Sequence, residues 1–318
     1  MISLVLCSAL LASAPGDVTV SYRKVLAPDG VALALYRYTP VSGGTHRPPV
    51  LLIADFGLGR TAFDFHGQGL ARWLARRGRL TYVAELRGQG RAAGVGWSPA
   101  EILQKDLPAI AAALGAEPFD VIVHGWAGTL VLAASAGELK GRVRRVVALS
   151  TPAEFAVPSP LAEALLRSGG RLSSLGTDRE NALIFELLFA MGAQIRPDDL
   201  AALRASAFVD LGATGAAALL QWMRAGDLTL HTGESIKARL ARYDRPTLQL
   251  VGLADGWANA ELCAPLREVS AASVKLRVLS RFDSIAEDYS HLSLLLGKGA
   301  PKEIFAPALK FLDGEEGP

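Results

Sequence analysis

Asp255 and His291 are far apart in the chain but have the residue types needed for acid–base work. A neutral imidazole takes up a proton near neutral pH, and a carboxylate on its second ring nitrogen fixes the tautomer and steadies the cation. Asp255 ends the apolar run Val251-Gly252-Leu253-Ala254. His291 lies in Asp288-Tyr289-Ser290-His291-Leu292-Ser293-Leu294-Leu295-Leu296-Gly297. A third stretch, Phe119 to Thr129, reads FDVIVHGWAGT. Its β-branched start predicts a buried strand, and Leu130 to Ala134 an apolar helix. Gly125, Ala127 and Gly128 allow a tight reversal between them. A strand, a sharp turn and a helix in that order can hold a nucleophile at the turn, usually in the pattern G-x-S-x-G. Gly128 matches the second glycine of that pattern, which puts Trp126 in the nucleophile slot. An indole N–H donates a hydrogen bond but offers no nucleophilic lone pair.

These residues must be positioned by a sheet. Val18 to Tyr22 and Val31 to Tyr36 read as a hairpin turned by Pro28-Asp29-Gly30. Val50 to Ile53 is a continuous apolar strand, Ala62 to Arg77 a helix, and Leu80 to Leu86 the next strand. Ser98-Pro99 opens a helix with Ser as cap, and Val143 to Leu149 is a further strand. This alternation predicts an α/β fold with a mostly parallel sheet covered by helices on both faces. It stops at Pro152. Helical patterns without strand signals run to Arg242, so residues 152–242 are expected to form a helical cap inserted in a core of 17–151 and 243–318. Strand signals return at Thr247 to Val251 and Val274 to Leu279, with helices near Glu261 to Val269 and from Pro301 to Leu312.

Composition narrows the function. Half of the 318 residues are hydrophobic and a fifth are charged, as in a globular protein. The net charge is +2 with scattered Arg, which argues against nucleic acid as a partner. Cys7 and Cys263 predict neither a disulfide nor a zinc site, and the five histidines lack metal-ligand spacing. No metal and no cofactor are expected. Residues 1–16 are apolar and end in Ala14-Pro15-Gly16, so they read either as a signal peptide or as an apolar tail on the domain. The basic start of a signal peptide is missing, and the stretch is too short to be a transmembrane segment. Export and a cytoplasmic location both stay open.

Several segments together resemble the α/β-hydrolase superfamily, closest to its bacterial lipase- and esterase-like branch, which is related to polyhydroxyalkanoate synthases. Glu85-Leu86-Arg87-Gly88-Gln89-Gly90-Arg91 resembles the D-L-R-G-H-G-x-S loop. Val251 to Asp255 resembles the strand end that carries the triad acid, and Asp288 to Gly297 the D-Y-G-H-x-D-L-L-L-G segment that carries the histidine. The resemblance implies an eight-stranded sheet, with Asp255 as acid, His291 as base and Trp126 in place of the serine. It also implies that the oxyanion segment H-G-x is here Ala54-Asp55-Phe56, where a carboxylate opposes an oxyanion.

On this basis Asp55, Phe56, Trp126 and Ala127 are the candidate ligand-pocket residues. His291 is expected to face the Trp126 indole, Asp55 to pair with Arg60 or Arg87 or to bind at the pocket mouth, and His124 and Cys263 to be core residues. The first functional reading is a protein of esterase or lipase ancestry that lacks its nucleophile and binds an apolar small molecule or a protein partner. The alternative is an active hydrolase, or a His–Asp dyad enzyme acting on a small ester-like or acidic substrate. A rival motif, Gly57-Leu58-Gly59-Arg60-Thr61-Ala62 with Glu85 beyond it, matches the dinucleotide pattern G-x-G-x-x-A.

Overall fold

A computed structural model describes residues 9–11, 18–40, 47–92, 96–175, 179–195, 197–206 and 208–315. Strands β2 (Thr19–Leu26) and β3 (Ala32–Thr39) form the hairpin, with Gly30 in the left-handed region at its turn (φ 83°). The others are β4 (Val50–Ile53), β5 (Thr81–Glu85), β6 (Phe119–His124), β7 (Val143–Leu149), β8 (Thr247–Gly252) and β9 (Val274–Leu279). The sheet order is β1-β2-β3-β5-β4-β6-β7-β8-β9. Pairings up to β3–β5 are antiparallel and all the later ones are parallel. Among the described residues the sheet thus has nine strands where eight were expected. The additional one, β1 (Ala9–Leu11), pairs with β2 and comes from the segment read as a leader or a tail.

Every residue of β4, β6 and β8 is buried, which fits strands covered on both faces. Their apolar sequences (VLLI, FDVIVH, TLQLVG) leave few side chains able to face water. The stretch after β4 departs from the expected single helix. It forms short turns at Arg60–Ala62 and Phe65–Gly67 before the helix Leu70–Arg76. His66 and Gly67 are left-handed (φ 47° and 72°), which no continuous helix accommodates. The dinucleotide reading of Gly57–Ala62 fails for the same reason, because only a three-residue turn follows Gly59. Glu85, the acid of that motif, instead accepts hydrogen bonds from the backbone N–H of Arg60 and Arg91 and from the Tyr36 hydroxyl.

Between β7 and β8, which are neighbours in the sheet, the described residues form helices and no named strand. The helices are Pro160–Arg167, Arg179–Phe185 with its continuation Glu186–Ala190, Pro197–Ser206, Gly212–Ala225 and Ile236–Ala241. Phe185, Phe189 and Phe208 form an aromatic cluster within this run. Backbone hydrogen bonds tie it to loops at the sheet's carboxyl edge, from Val209 N–H to Gly57 O and from Leu292 N–H to Phe189 O. No helix among the described residues is long and apolar enough to cross a membrane.

Candidate functional site

The carboxyl ends of three strands deliver the chemistry to one place. Asp55 follows β4, His124 and Gly125 end β6 and begin the helix Gly125–Ser135, and Asp255 follows β8. His291 arrives on the loop before Ser293–Leu296. Asp255 Oδ1 accepts the backbone N–H of Trp257 (3.0 Å) and Ala258 (2.7 Å), and its Oδ2 lies 2.9 Å from His291 Nδ1. On the other side of the ring, His291 Nε2 is 3.3 Å from Asp55 Oδ2. That oxygen also accepts the Trp257 indole N–H at 2.9 Å. Asp55 Oδ1 takes two backbone donors, Phe56 N–H (2.8 Å) and Ala127 N–H (3.0 Å). The imidazole is held between two carboxylates, and every acceptor oxygen involved has a donor.

The trio is sealed from water, with Asp55 0 %, Asp255 2 % and His291 1 % exposed. Burial alone would push the imidazole's pKa down. The carboxylates of Asp255 and Asp55 outweigh it and hold His291 up at about 9. His124 lies against the same ring, with centroids 4.0 Å apart, and its Nε2 is 3.0 Å from His291 O. Burial, with the charge on His291 added, pushes His124 well below its ordinary value. Its Nδ1 is buried and has no hydrogen-bond partner.

These opposite shifts predict a stability maximum near pH 6.5. His291 is raised in the fold, so its contribution is complete below the unfolded value of about 6.5 and is lost as pH rises through about 9. That loss amounts to roughly 3 kcal/mol at 1.36 kcal/mol per pH unit. His124 is depressed, so its contribution is present above about 6.5 and falls as acid protonates the unfolded chain. Thermal melts from pH 5 to 10 should peak near 6.5 and decline on both sides. A flat profile between pH 6.5 and 9 would contradict the charged His291.

The structure places several residues differently from expectation. Asp55 pairs with neither arginine: Arg60 bonds Tyr38 and Asp64, and Arg87 bonds Asp29 and Asp106. His291 turns its two ring nitrogens to Asp255 and Asp55, where the Trp126 indole was expected opposite it. Trp126 donates its N–H to Trp257 O (3.2 Å) and sets its ring edge-on to Trp222 at 5.7 Å. The residue at the turn aimed at the carboxylate is Gly125. It has φ 61°, and a Cβ built on it would lie 2.1 Å from Asp55 Cγ. Trp126 itself has no left-handed backbone. Asp55, Phe56, Trp126 and Ala127 are all buried, and Phe56 stacks on Trp97.

Cys263 is buried, and burial holds its thiol well above the ordinary value, so it is no ready nucleophile. Sequence reasoning missed Trp257, Phe189 and Trp222. Phe189 packs on both Trp257 and His291, and Trp222 closes over Trp126. Only Trp257 had a signal, as a potential donor two residues beyond Asp255.

No protein-family model and no curated protein matches the sequence. Solved structures do match. A hydrolase from Pseudomonas aeruginosa aligns over 98% of this chain and 99% of its own, with TM-score 0.62 and 19% identity. A thermophilic esterase from Thermogutta terrifontis aligns over 92% and 97%, with TM-score 0.61 and 19% identity. A bromoperoxidase from Bacillus anthracis aligns over 91% and 99%, with TM-score 0.62 and 16% identity. Together with the strand order and the placement of the site at the strand ends, these likenesses show that the chain has the α/β-hydrolase fold.

Proposed function

We propose that this chain is a non-catalytic descendant of a hydrolase, with residues 152–242 as its cap, and that it acts by binding an apolar small molecule. One observation carries the reading: the Asp55 carboxylate accepts the Phe56 and Ala127 N–H groups and faces His291 Nε2 with its other oxygen. In this fold an oxyanion is bound by the N–H after the nucleophile position, that of Trp126 for a slot at Gly125, and by one from the loop after the strand where Asp55 lies; Asp55 takes the Phe56 N–H of that loop and the Ala127 N–H one residue further along the helix. A fixed carboxylate there takes up the loop's donor and repels the negative charge that acyl transfer develops. No hydroxyl or thiol stands opposite His291 at the turn, since Gly125 has no side chain and Trp126 turns to Trp257 and Trp222. The dyad alternative needs a deprotonated imidazole at working pH, and a value of about 9 leaves His291 charged at neutrality.

The test is a fluorophosphonate probe and an activated ester applied to the wild-type protein at pH 7 and pH 9.5. The expected result is no covalent adduct by mass spectrometry and no burst of product. Stoichiometric labelling of any Ser or Cys would refute the proposal.

A further inference from the structure

We propose that the helical segment between β7 and β8 contains a binding site of its own, for a medium-chain carboxylic acid. A cavity of about 340 Å³ lies between the helices Pro160–Arg167 and Arg179–Phe185. Its walls are Leu161, Leu165, Leu175 and Ile184, of which Leu165 and Leu175 are buried. None of its lining residues belongs to the Asp55–His291–Asp255 cluster. The volume is at the lower end for small-molecule sites, so it suits one short chain and is too small for a bulky ring system.

The polar lining residues are Ser168, Arg171, Ser174 and Asn181. Arg171 and Ser168 are exposed and Ser174 is half-buried, and all three border the cavity. The neighbouring cations Arg167 and Arg224 share the Glu163 carboxylate. Among the described residues Arg171 has no acidic partner, and its backbone carbonyl accepts the Ser174 hydroxyl. An apolar slot bordered by an exposed arginine with no acidic partner among the described residues complements a chain that ends in a carboxylate, because the planar fork binds both oxygens together. The inference rests on reading the chain as a binder. Its test uses no ester and no covalent probe, so either proposal can fail alone.

The test is calorimetric titration of the full chain with hexanoate, octanoate, decanoate and dodecanoate. Each added methylene should tighten Kd roughly fourfold until the cavity is full, after which the gain should stop. Arg171→Gln should weaken decanoate about five- to tenfold and leave decanol within about twofold. Ala164→Trp, at an exposed position on the rim, should abolish binding while the melting temperature stays unchanged. A Kd independent of chain length would overturn the proposal. Equal losses for acid and alcohol in R171Q, or undiminished binding by A164W, would also overturn it. Phosphatidylglycerol vesicles serve as the second arm. Vesicle binding without decanoate binding would assign the site to a membrane lipid and refute the free acid.

Discussion

Asp55→Ala should lower the unfolding free energy by roughly 3–5 kcal/mol, the usual cost of removing one partner from a buried ion pair. In the wild type this carboxylate neutralises one side of the His291 ring and accepts from Phe56, Ala127 and Trp257. Alanine leaves a buried cation with one counter-charge and strands donors that no water reaches. Asp55→Asn keeps an acceptor for the two backbone N–H groups, so its loss should be smaller. It should also flatten the alkaline decline of stability, because only Asp255 would then hold the proton on His291. Urea unfolding at pH 7 measures both variants. A loss below about 1 kcal/mol for Asp55→Ala would mean that the carboxylate is not paired as described.

Trp126→Ser should cost roughly 3–5 kcal/mol, as for other large truncations in a core. The indole is 0 % exposed and packs against Trp222. It also props Trp257, whose own indole N–H reaches Asp55. The substitution should give no esterase activity, because a hydroxyl at 126 does not stand opposite His291 and Asp55 still fills the donor pair. Gly125→Ser alone should fare no better, since its Cβ would collide with Asp55 Cγ. Only Gly125→Ser combined with Asp55→Gly offers His291 a hydroxyl and frees the two N–H groups. Hydrolysis of an activated ester by Trp126→Ser alone would show that residue 126 is the slot after all.

Much of the sheet was legible in the sequence because its strands are short apolar runs with clear breaks. Val274–Leu279 and Val143–Leu149 have the bounds read from the sequence. The Asp255–His291 proximity was legible through the two segments that carry the residues. What failed depended on contacts across the fold. Counting back from Gly128 finds a turn but not which of its residues takes the left-handed backbone. That is decided by Asp55, whose bond to Ala127 spans 72 positions. The fate of Asp55 was unreadable for the same reason, since nothing local distinguishes an aspartate that meets Arg60 from one that meets His291. In the stretch after β4, the pattern of Leu70, Trp73 and Leu74 suggested a long helix. Gly67 and Gly69 were the overlooked signals: a Cβ at Gly69 would lie 2.1 Å from Phe63 O. The edge strand Ala9–Leu11 looks the same in sequence whether it is an apolar leader or a pairing segment.

The central claim is that His291 is a buried imidazolium locked between Asp255 and Asp55. Nitrogen-15 NMR of the histidine side chains tests it most directly. Nδ1 and Nε2 of His291 should both carry protons at pH 7, and the ring should titrate near pH 9. A neutral His291 at pH 7, with one bare ring nitrogen and a titration at or below pH 6.5, would contradict it.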